Sequence, residues 1–413
     1  MGGFADTIMA RLDALGAISA EPGRITRIYL SPEQARANEL VMGWMREAGM
    51  SARVDAVGNV VGRVEGPVPG GPALVVGSHL DTVRDAGRFD GPLGVVTGIA
   101  CVAALLREGV RLPFAIEVIG FADEEGTRFN ATLTGSRAFA GRVDPGLLET
   151  RDAAGVTVAQ ALEAFGLDPA HLDAAGRRPE EILAYLELHI EQGPMLEQAG
   201  LPVGVVTAIS GATRMAVTLV GEAGHAGTVA MPCRRDALAG AAECILAVER
   251  LCRARSDLVG TVGRVAASPG AVNVIPGQAV FSLDLRSPDD AVRLDAFAAI
   301  EAEWRGIAQR RGLSLSMARM HEASAVPCDP ALTERIAAAI AAEGQPVMRL
   351  PSGAGHDGMA VAAIAPIAMI FVRCRGGISH NPAEFASLPD IEAGARVMLA
   401  TLRDLIRNPP TGV

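Results

Sequence analysis

Three apolar runs constrain what this chain can fold into: Ala73-Leu74-Val75-Val76-Gly77-Ser78, Phe114-Ala115-Ile116-Glu117-Val118-Ile119-Gly120-Phe121 and Pro366-Ile367-Ala368-Met369-Ile370-Phe371-Val372. Runs of this length, bounded by glycine or proline, suit strands buried on both faces. Each is followed by metal-binding side chains. His79 and Asp81 follow the first, Asp123-Glu124-Glu125 the second, and His380 comes shortly after the third. Alanine-rich helical stretches, such as 93–108 and 330–343, lie between such runs. Strand, polar loop and helix in repetition predict an α/β sheet with its site at the strands' carboxyl ends.

The middle third changes character. Residues 214–220 alternate apolar and polar, as a half-exposed strand should. A helix over 236–253, strands near 260–266 and 279–285, a helix over 288–310 and a strand at 313–318 complete the unit. This β-α-β-β-α-β order matches the split βαβ, ferredoxin-like arrangement. It places an inserted domain at 211–322 within a discontinuous α/β domain formed by 1–210 and 323–413. Glu65 to Pro72 reads as a turn between strands. At 413 residues, two domains are the default.

With 37 Lys and Arg against 47 Asp and Glu, the net charge of −10 disfavours nucleic acid or an anionic membrane as a main partner. The six cysteines lie far apart with no C-x-x-C pair, which predicts reduced thiols in a cytosol. Met1 to Ala20 has helical spacing without a signal-peptide pattern, and the greasy run 360–372 is too short to span a bilayer. The expectation is a cytoplasmic protein.

Two further segments add to the polar strand ends: Arg88-Phe89-Asp90-Gly91-Pro92 and Leu188-His189-Ile190-Glu191-Gln192-Gly193. Together the five offer three imidazoles and several carboxylates, the ligand set that a pair of divalent ions wants. In His79-x-Asp81 the aspartate can accept the second ring N–H of the histidine, fixing its orientation. Glu124 and Glu125 either form a solvated loop or divide labour, one binding metal and the other acting as general base. Of the seven histidines, His79, His189, His225, His356 and His380 sit in segments bearing glycine or proline; His171 and His321 do not and are read as structural. His356 and Asp357 are pocket candidates, and Asp357 is equally well a helix cap.

Ten segments in order carry a resemblance: 77–83, 89–95, 123–129, 189–194, Gly-His-Ala-Gly-Thr (224–228), Arg-Arg-Asp-Ala (234–237), Asn-Val-Ile-Pro-Gly (273–277), Leu-Asp-Leu-Arg (283–286), Ser-Gly-Ala-Gly-His-Asp (352–357) and Gly-Gly-Ile-Ser-His-Asn-Pro-Ala-Glu (376–384). From about residue 10 to 405 the chain resembles the hydantoinase/carbamoylase-type amidases of the M20 metallopeptidase-like superfamily. That group includes N-carbamoyl-L-amino acid hydrolases, β-ureidopropionases and allantoate amidohydrolases. The resemblance implies a zinc-exopeptidase-like catalytic domain with an inserted lid and dimerisation domain. It implies one cation held by His79, Asp90 and His189 and another by Asp90, Glu125 and His380, with Asp90 bridging. Zinc, manganese, nickel and cobalt all suit such ligands.

By the same resemblance Glu124 is the general base, with Asp81 and His225 completing the catalytic set. His225 and Asn273 donate to the reacting carbonyl, Arg286 clamps the substrate carboxylate and Gln192 orients its polar groups. Peptidase relatives usually carry a carboxylate where this chain has His189, which points away from peptide hydrolysis. The implied reaction cuts the terminal ureido C–N bond of a small carboxylate substrate, an N-carbamoyl-L-amino acid, releasing ammonia and carbon dioxide. Allantoate and β-ureidopropionate are the alternatives within that chemistry. A dipeptidase or deacylase of the superfamily, or a binding protein that lost turnover, stands further off. A homodimer through the inserted domain, with hinges near 209–211 and 322–326, completes the expectation.

Overall fold

The computed structural model describes residues 3–410. The chain divides into two compact units; the first ends at Thr207 and resumes at Cys328, and the second is Ala208–Pro327. In chain order the strands are β1 (Ser51–Val54), β2 (Val60–Val64), β3 (Ala73–His79), β4 (Ala115–Phe121), β5 (Ile182–Ile190), β6 (Val203–Ile209), β7 (Gly211–Val220) and β8 (Gly224–His225). They continue as β9 (Val259–Thr261), β10 (Val265–Ser268), β11 (Val274–Ile275), β12 (Gln278–Ser287), β13 (Ser314–Ala323), β14 (Val326–Pro327), β15 (Arg349–Ser352) and β16 (Ile367–Val372).

The larger sheet has the order β1-β2-β4-β3-β5-β16-β6-β14, with β15 beside β6. Its centre, β4-β3-β5-β16, is parallel, so four carboxyl ends open side by side. Every residue of β3, β4 and β16 is buried, which is why these runs show no alternation. Glu117 is the exception in composition. Its carboxylate is fully buried in β4 and is answered by Arg63 Nη1 at 2.8 Å and Arg177 Nη2 at 2.6 Å.

The helix Pro92–Arg107, buried along nearly its whole length, packs on β3 and β5 beneath the helices Phe4–Gly16 and Leu388–Arg407. Side-chain caps start the later helices. Asp329 accepts from the Leu332 N–H (2.9 Å) ahead of Pro330–Ala342, and Ser387 from that of Asp390 (3.3 Å) ahead of Leu388–Arg407.

The second unit is a five-stranded antiparallel sheet of order β10-β12-β7-β13, with β9 also on β12. The helices Ala237–Arg253 and Asp290–Arg311 pack on it, and the alternating residues Met215, Val217, Leu219, Phe281, Leu283 and Leu285 build the core against Trp304. The order is the ferredoxin-like one. The strand expected near 260–266 is two short strands. Both run antiparallel to β12, β9 beside 284–286 and β10 beside 278–281, with 262–264 interrupting the ladder. A two-stranded β8–β11 ribbon pairs His225 with Val274 and sets Asn273 beside it.

Candidate metal centre

The site grows from the four parallel strand ends. His79 is the last residue of β3, His189 the penultimate residue of β5, Glu124 and Glu125 follow β4, and His380 follows β16. Asp90 enters from the turn before the helix Pro92–Arg107. The chain turns sharply at three of these ends, where Asp123 (φ 60°), Gln192 (φ 55°) and His380 (φ 53°) are left-handed without being glycine. Such conformations cost energy and cluster at functional sites. Gly91 has φ 82°, and a Cβ there would lie 2.5 Å from the His79 ring, so Asp90 reaches His79 only because a glycine follows it.

Asp90 sits at the centre. Its Oδ1 lies 3.1 Å from His189 Nε2 and 3.7 Å from His79 Nε2, while its Oδ2 lies 3.1 Å from His380 Nε2. His380 Nε2 in turn is 3.4 Å from Glu125 Oε1. Two donor groups share Asp90, His79–Asp90–His189 and Asp90–Glu125–His380, each with ligand atoms within 4.8 Å of one another; His79–Glu124–Glu125 and Glu187–His189–His356 meet the same distance beside them. Asp90, His79 and His189 are buried, whereas the His380 side chain is half exposed.

The imidazole tautomers suit a cation. His79 Nδ1 bonds the Asp81 carbonyl (3.0 Å) and His189 Nδ1 the Ile190 carbonyl (2.8 Å). A carbonyl only accepts, so each Nδ1 carries a proton and each Nε2 is left directed at Asp90, the atom that would ligate a cation once its own proton is displaced. The residues therefore fit two divalent cations sharing one carboxylate.

Asp81 departs from its expected part. Its carboxylate is 3.8 Å from His79 Nδ1, and its backbone carbonyl takes that contact instead. The carboxylate accepts the backbone N–H of Glu124 on Oδ1 (3.0 Å) and of Glu125 on Oδ2 (3.2 Å). It thus pins the Glu-Glu turn, because two adjacent N–H groups meet one fork of oxygens. Gln192 is also inside the site, its Nε2 donating to Asp90 Oδ2 (3.1 Å) and to Ser379 Oγ (3.0 Å).

Electrostatics follow the crowding of acids. Burial, reinforced by Glu125, Asp357 and Asp81 and opposed by His79, holds the Glu124 carboxyl well above its usual range. Burial and Asp90 raise Glu125 to about 7. Against its own burial, Asp90 is held well below the carboxylate range by hydrogen bonds to His189, His380 and His79. The hydrogen bond to Asp90 raises His380 to about 9. A site so dense in carboxylates gains from positive charge.

Behind the site lies a buried layer in which the pocket candidates His356 and Asp357 are joined by Glu187, which no motif singled out. Glu187 accepts from Ser78 Oγ (3.1 Å) and Tyr185 Oη (3.0 Å), and His356, bonded to Ser352 Oγ (2.7 Å), stacks edge-on to His189 with centroids 4.5 Å apart. Burial, with His189 beside it, pushes the His356 pKa well down, so it stays neutral. Asp357 caps no helix N–H. It is fully buried, and Ser136, the hydroxyl near it, donates to the Leu133 carbonyl.

The remaining expected residues lie in the second unit. His225 Nδ1 accepts the Gly227 N–H (3.0 Å), leaving Nε2 as an exposed donor. Asn273 is exposed beside it, its carbonyl accepting the Ala226 N–H at 2.9 Å. Arg286, on β12, forks onto Asp284 through Nε (2.7 Å) and Nη2 (2.9 Å), and Arg214 Nε reaches the same carboxylate at 2.9 Å. His171 bonds Asp168 at the surface.

Residues 75–404 match the peptidase family M20/M25/M40. The chain is 44% identical over 404 residues to an N-carbamoyl-L-amino acid amidohydrolase of Geobacillus stearothermophilus, covering 98% of this chain and 99% of that protein. It is 41% identical to an allantoate deiminase of Arabidopsis thaliana, covering 96% and 82%. Among solved structures, a hydantoinase/carbamoylase family amidase from Burkholderia multivorans superposes with a TM-score of 0.91 at 36% identity, over 97% of each chain.

Proposed function

The chain belongs to the peptidase family M20/M25/M40, among its hydantoinase/carbamoylase-type amidases, and from that premise we propose that it hydrolyses the terminal ureido C–N bond of an N-carbamoyl-L-amino acid. The products are the free amino acid, ammonia and carbon dioxide. The observation that carries this reading is Asp90, whose two oxygens face two separate imidazole groups, with the Glu124 carboxylate within 4.8 Å of ligand atoms of His79 and Glu125.

His79, Asp90 and His189 would hold one divalent cation and Asp90, Glu125 and His380 another, which when bound would supply Lewis acidity and a water of lowered pKa. Zinc, manganese, nickel and cobalt suit these donors. Glu124, held in place through its backbone by Asp81, takes the proton of the attacking water and returns it to the departing nitrogen. His225, with its Nε2–H exposed, and Asn273 donate to the carbonyl oxygen as negative charge develops there. Arg286, its guanidinium oriented by Asp284, grips the substrate carboxylate, since a planar fork matches two oxygens. Gln192 aligns the ureido group from the cation side.

In this reading residues 211–322 act as lid and dimer contact. Supporting that, β13 is an edge strand with alternating exposure and carries Met320 at 65% exposed. Among the described residues no helix is long and apolar enough to cross a membrane, all six cysteines are free, and the cytoplasm is the proposed compartment. The test is ammonia release from a panel of N-carbamoyl-L-amino acids, β-ureidopropionate and allantoate with each metal in turn. Turnover confined to allantoate would move the assignment to that substrate; turnover of none would end it.

A further inference from the structure

Glu384 lies in the turn after His380 and is buried. Its Oε1 accepts the backbone N–H of Phe89 (2.8 Å) and of Asp90 (3.1 Å), almost three hundred residues away in sequence. Its Oε2 accepts from Ser379 Oγ (2.9 Å). Ser379 Oγ also lies 3.2 Å from Asp90 Oδ2 and receives the Gln192 amide at 3.0 Å. One hydroxyl proton serves one acceptor at a time, and the shorter contact is to Glu384. The chain makes room for this carboxylate at Gly87, where any Cβ would run into the Glu384 side chain.

The two donor groups differ in what holds them. On one side His79 and His189 are buried and fixed by backbone carbonyls through Nδ1. On the other, His380 is half exposed and sits on a left-handed residue. The Ser379 hydroxyl, immediately before it, and Glu384, four residues after it, tie this turn to the Asp90 loop.

We propose that Glu384 is a positioning residue of the dinuclear site: through Ser379 and the N–H groups of Phe89 and Asp90 it sets the separation between the bridging carboxylate and His380, and so the affinity of the cation held by Asp90, Glu125 and His380. The inference rests on the dinuclear reading above. It predicts an asymmetric effect, because the His79–His189 side has its own anchors. Removing such an outer partner typically costs about 10–100-fold in metal affinity.

The test is stepwise calorimetric titration of the metal-stripped full-length protein with Zn²⁺ or Mn²⁺, with bound metal counted by mass spectrometry and the thermal midpoint recorded. The parent binds two ions. Glu384→Ala binds the first ion as the parent does and the second about 10–100-fold more weakly. Glu384→Gln recovers most of the loss, because its amide oxygen still accepts both N–H groups and its NH₂ donates to Ser379 Oγ. Ser379→Ala, which removes the hydroxyl's contacts to Glu384, Asp90 and Gln192 but keeps Glu384 on the Phe89 and Asp90 N–H groups, weakens the second ion in the same direction and carries the test should Glu384→Ala not fold. Parental two-step binding in Glu384→Ala overturns the proposal. So does an equal loss of both ions with a lowered thermal midpoint that glutamine does not restore, which would make Glu384 a support of the fold alone. A parent that never binds a second ion overturns the dinuclear reading itself, whatever the variants do.

Discussion

Replacing Asp81 by alanine separates two functions that one residue performs. Its backbone carbonyl, which holds His79 Nδ1 at 3.0 Å, survives the change; its carboxylate, which accepts the Glu124 and Glu125 N–H groups, does not. Hydrogen bonds to a charged acceptor contribute about 1.5–3 kcal/mol each, but both N–H groups are only partly buried, so water replaces some of the loss. A combined cost of about 2–3 kcal/mol in holding the Glu-Glu turn corresponds to about 30–150-fold in kcat. The assay is steady-state ammonia release at saturating metal, with metal content measured in parallel. The expected outcome is lowered kcat with two ions still bound and KM little changed. Were the carboxylate instead the partner of the His79 ring, the same variant would lose metal from the His79 side first, and added metal would restore kcat. That result, or parental kcat, would refute the reasoning.

Glu124→Gln should retain two ions and lose about 10²–10⁴ in kcat, the usual worth of a positioned acid–base group; near-parental turnover removes Glu124 from the reaction. Arg286→Lys keeps the charge but loses the fork, so kcat/KM for carboxylate substrates should fall about 10–100-fold, while the parent should discriminate against amide-capped analogues. The metal-stripped protein should lose stability as pH rises from about 7 to about 9. The sign comes from His380, raised to about 9 by its hydrogen bond to Asp90, so that its stabilisation is present below its unfolded value near 6.5 and disappears as it deprotonates. Glu125, raised to about 7, has already lost its part by then, and His356, held neutral, is silent above 6.5. Urea melts in chelator at pH 7 and 9 check this; saturating metal should flatten the difference, and greater stability at pH 9 in chelator would contradict it.

The central strands were legible because they are buried on both faces, so that 73–78, 114–121 and 366–372 appear as apolar runs whose one charged member is Glu117. Four of the five metal-type side chains were legible for a related reason: His79, Glu125, His189 and His380 stand at or beyond the ends of parallel strands, while Asp90 comes from the turn before the helix Pro92–Arg107. What stayed hidden depends on backbone groups or distant partners. The Asp81 carbonyl carries no sequence signal, so its carboxylate drew the assignment to His79. The β8–β11 ribbon that sets Asn273 beside His225 is too short for any periodicity. The break at 262–264, which splits one expected strand into β9 and β10, leaves the apolar pattern intact. Glu384 was visible inside a quoted motif, yet its meaning lies in contacts with Phe89 and Asp90 that only the fold creates.

The strand β16 lies between β5 and β6, parallel to one and antiparallel to the other, although it begins at residue 367, long after β5 ends at 190 and β6 at 209. During synthesis the growing chain therefore carries an open slot in the middle of its sheet, with apolar edges on either side, while the whole of 208–327 emerges. The slot closes only when residues 367–372 arrive, and His380 follows within the next few positions. Assembly of the reaction centre is thus a late, long-range event, reserved for chains that are nearly complete. A nascent chain cannot turn over substrate, and its unfilled sheet is the form most exposed to aggregation.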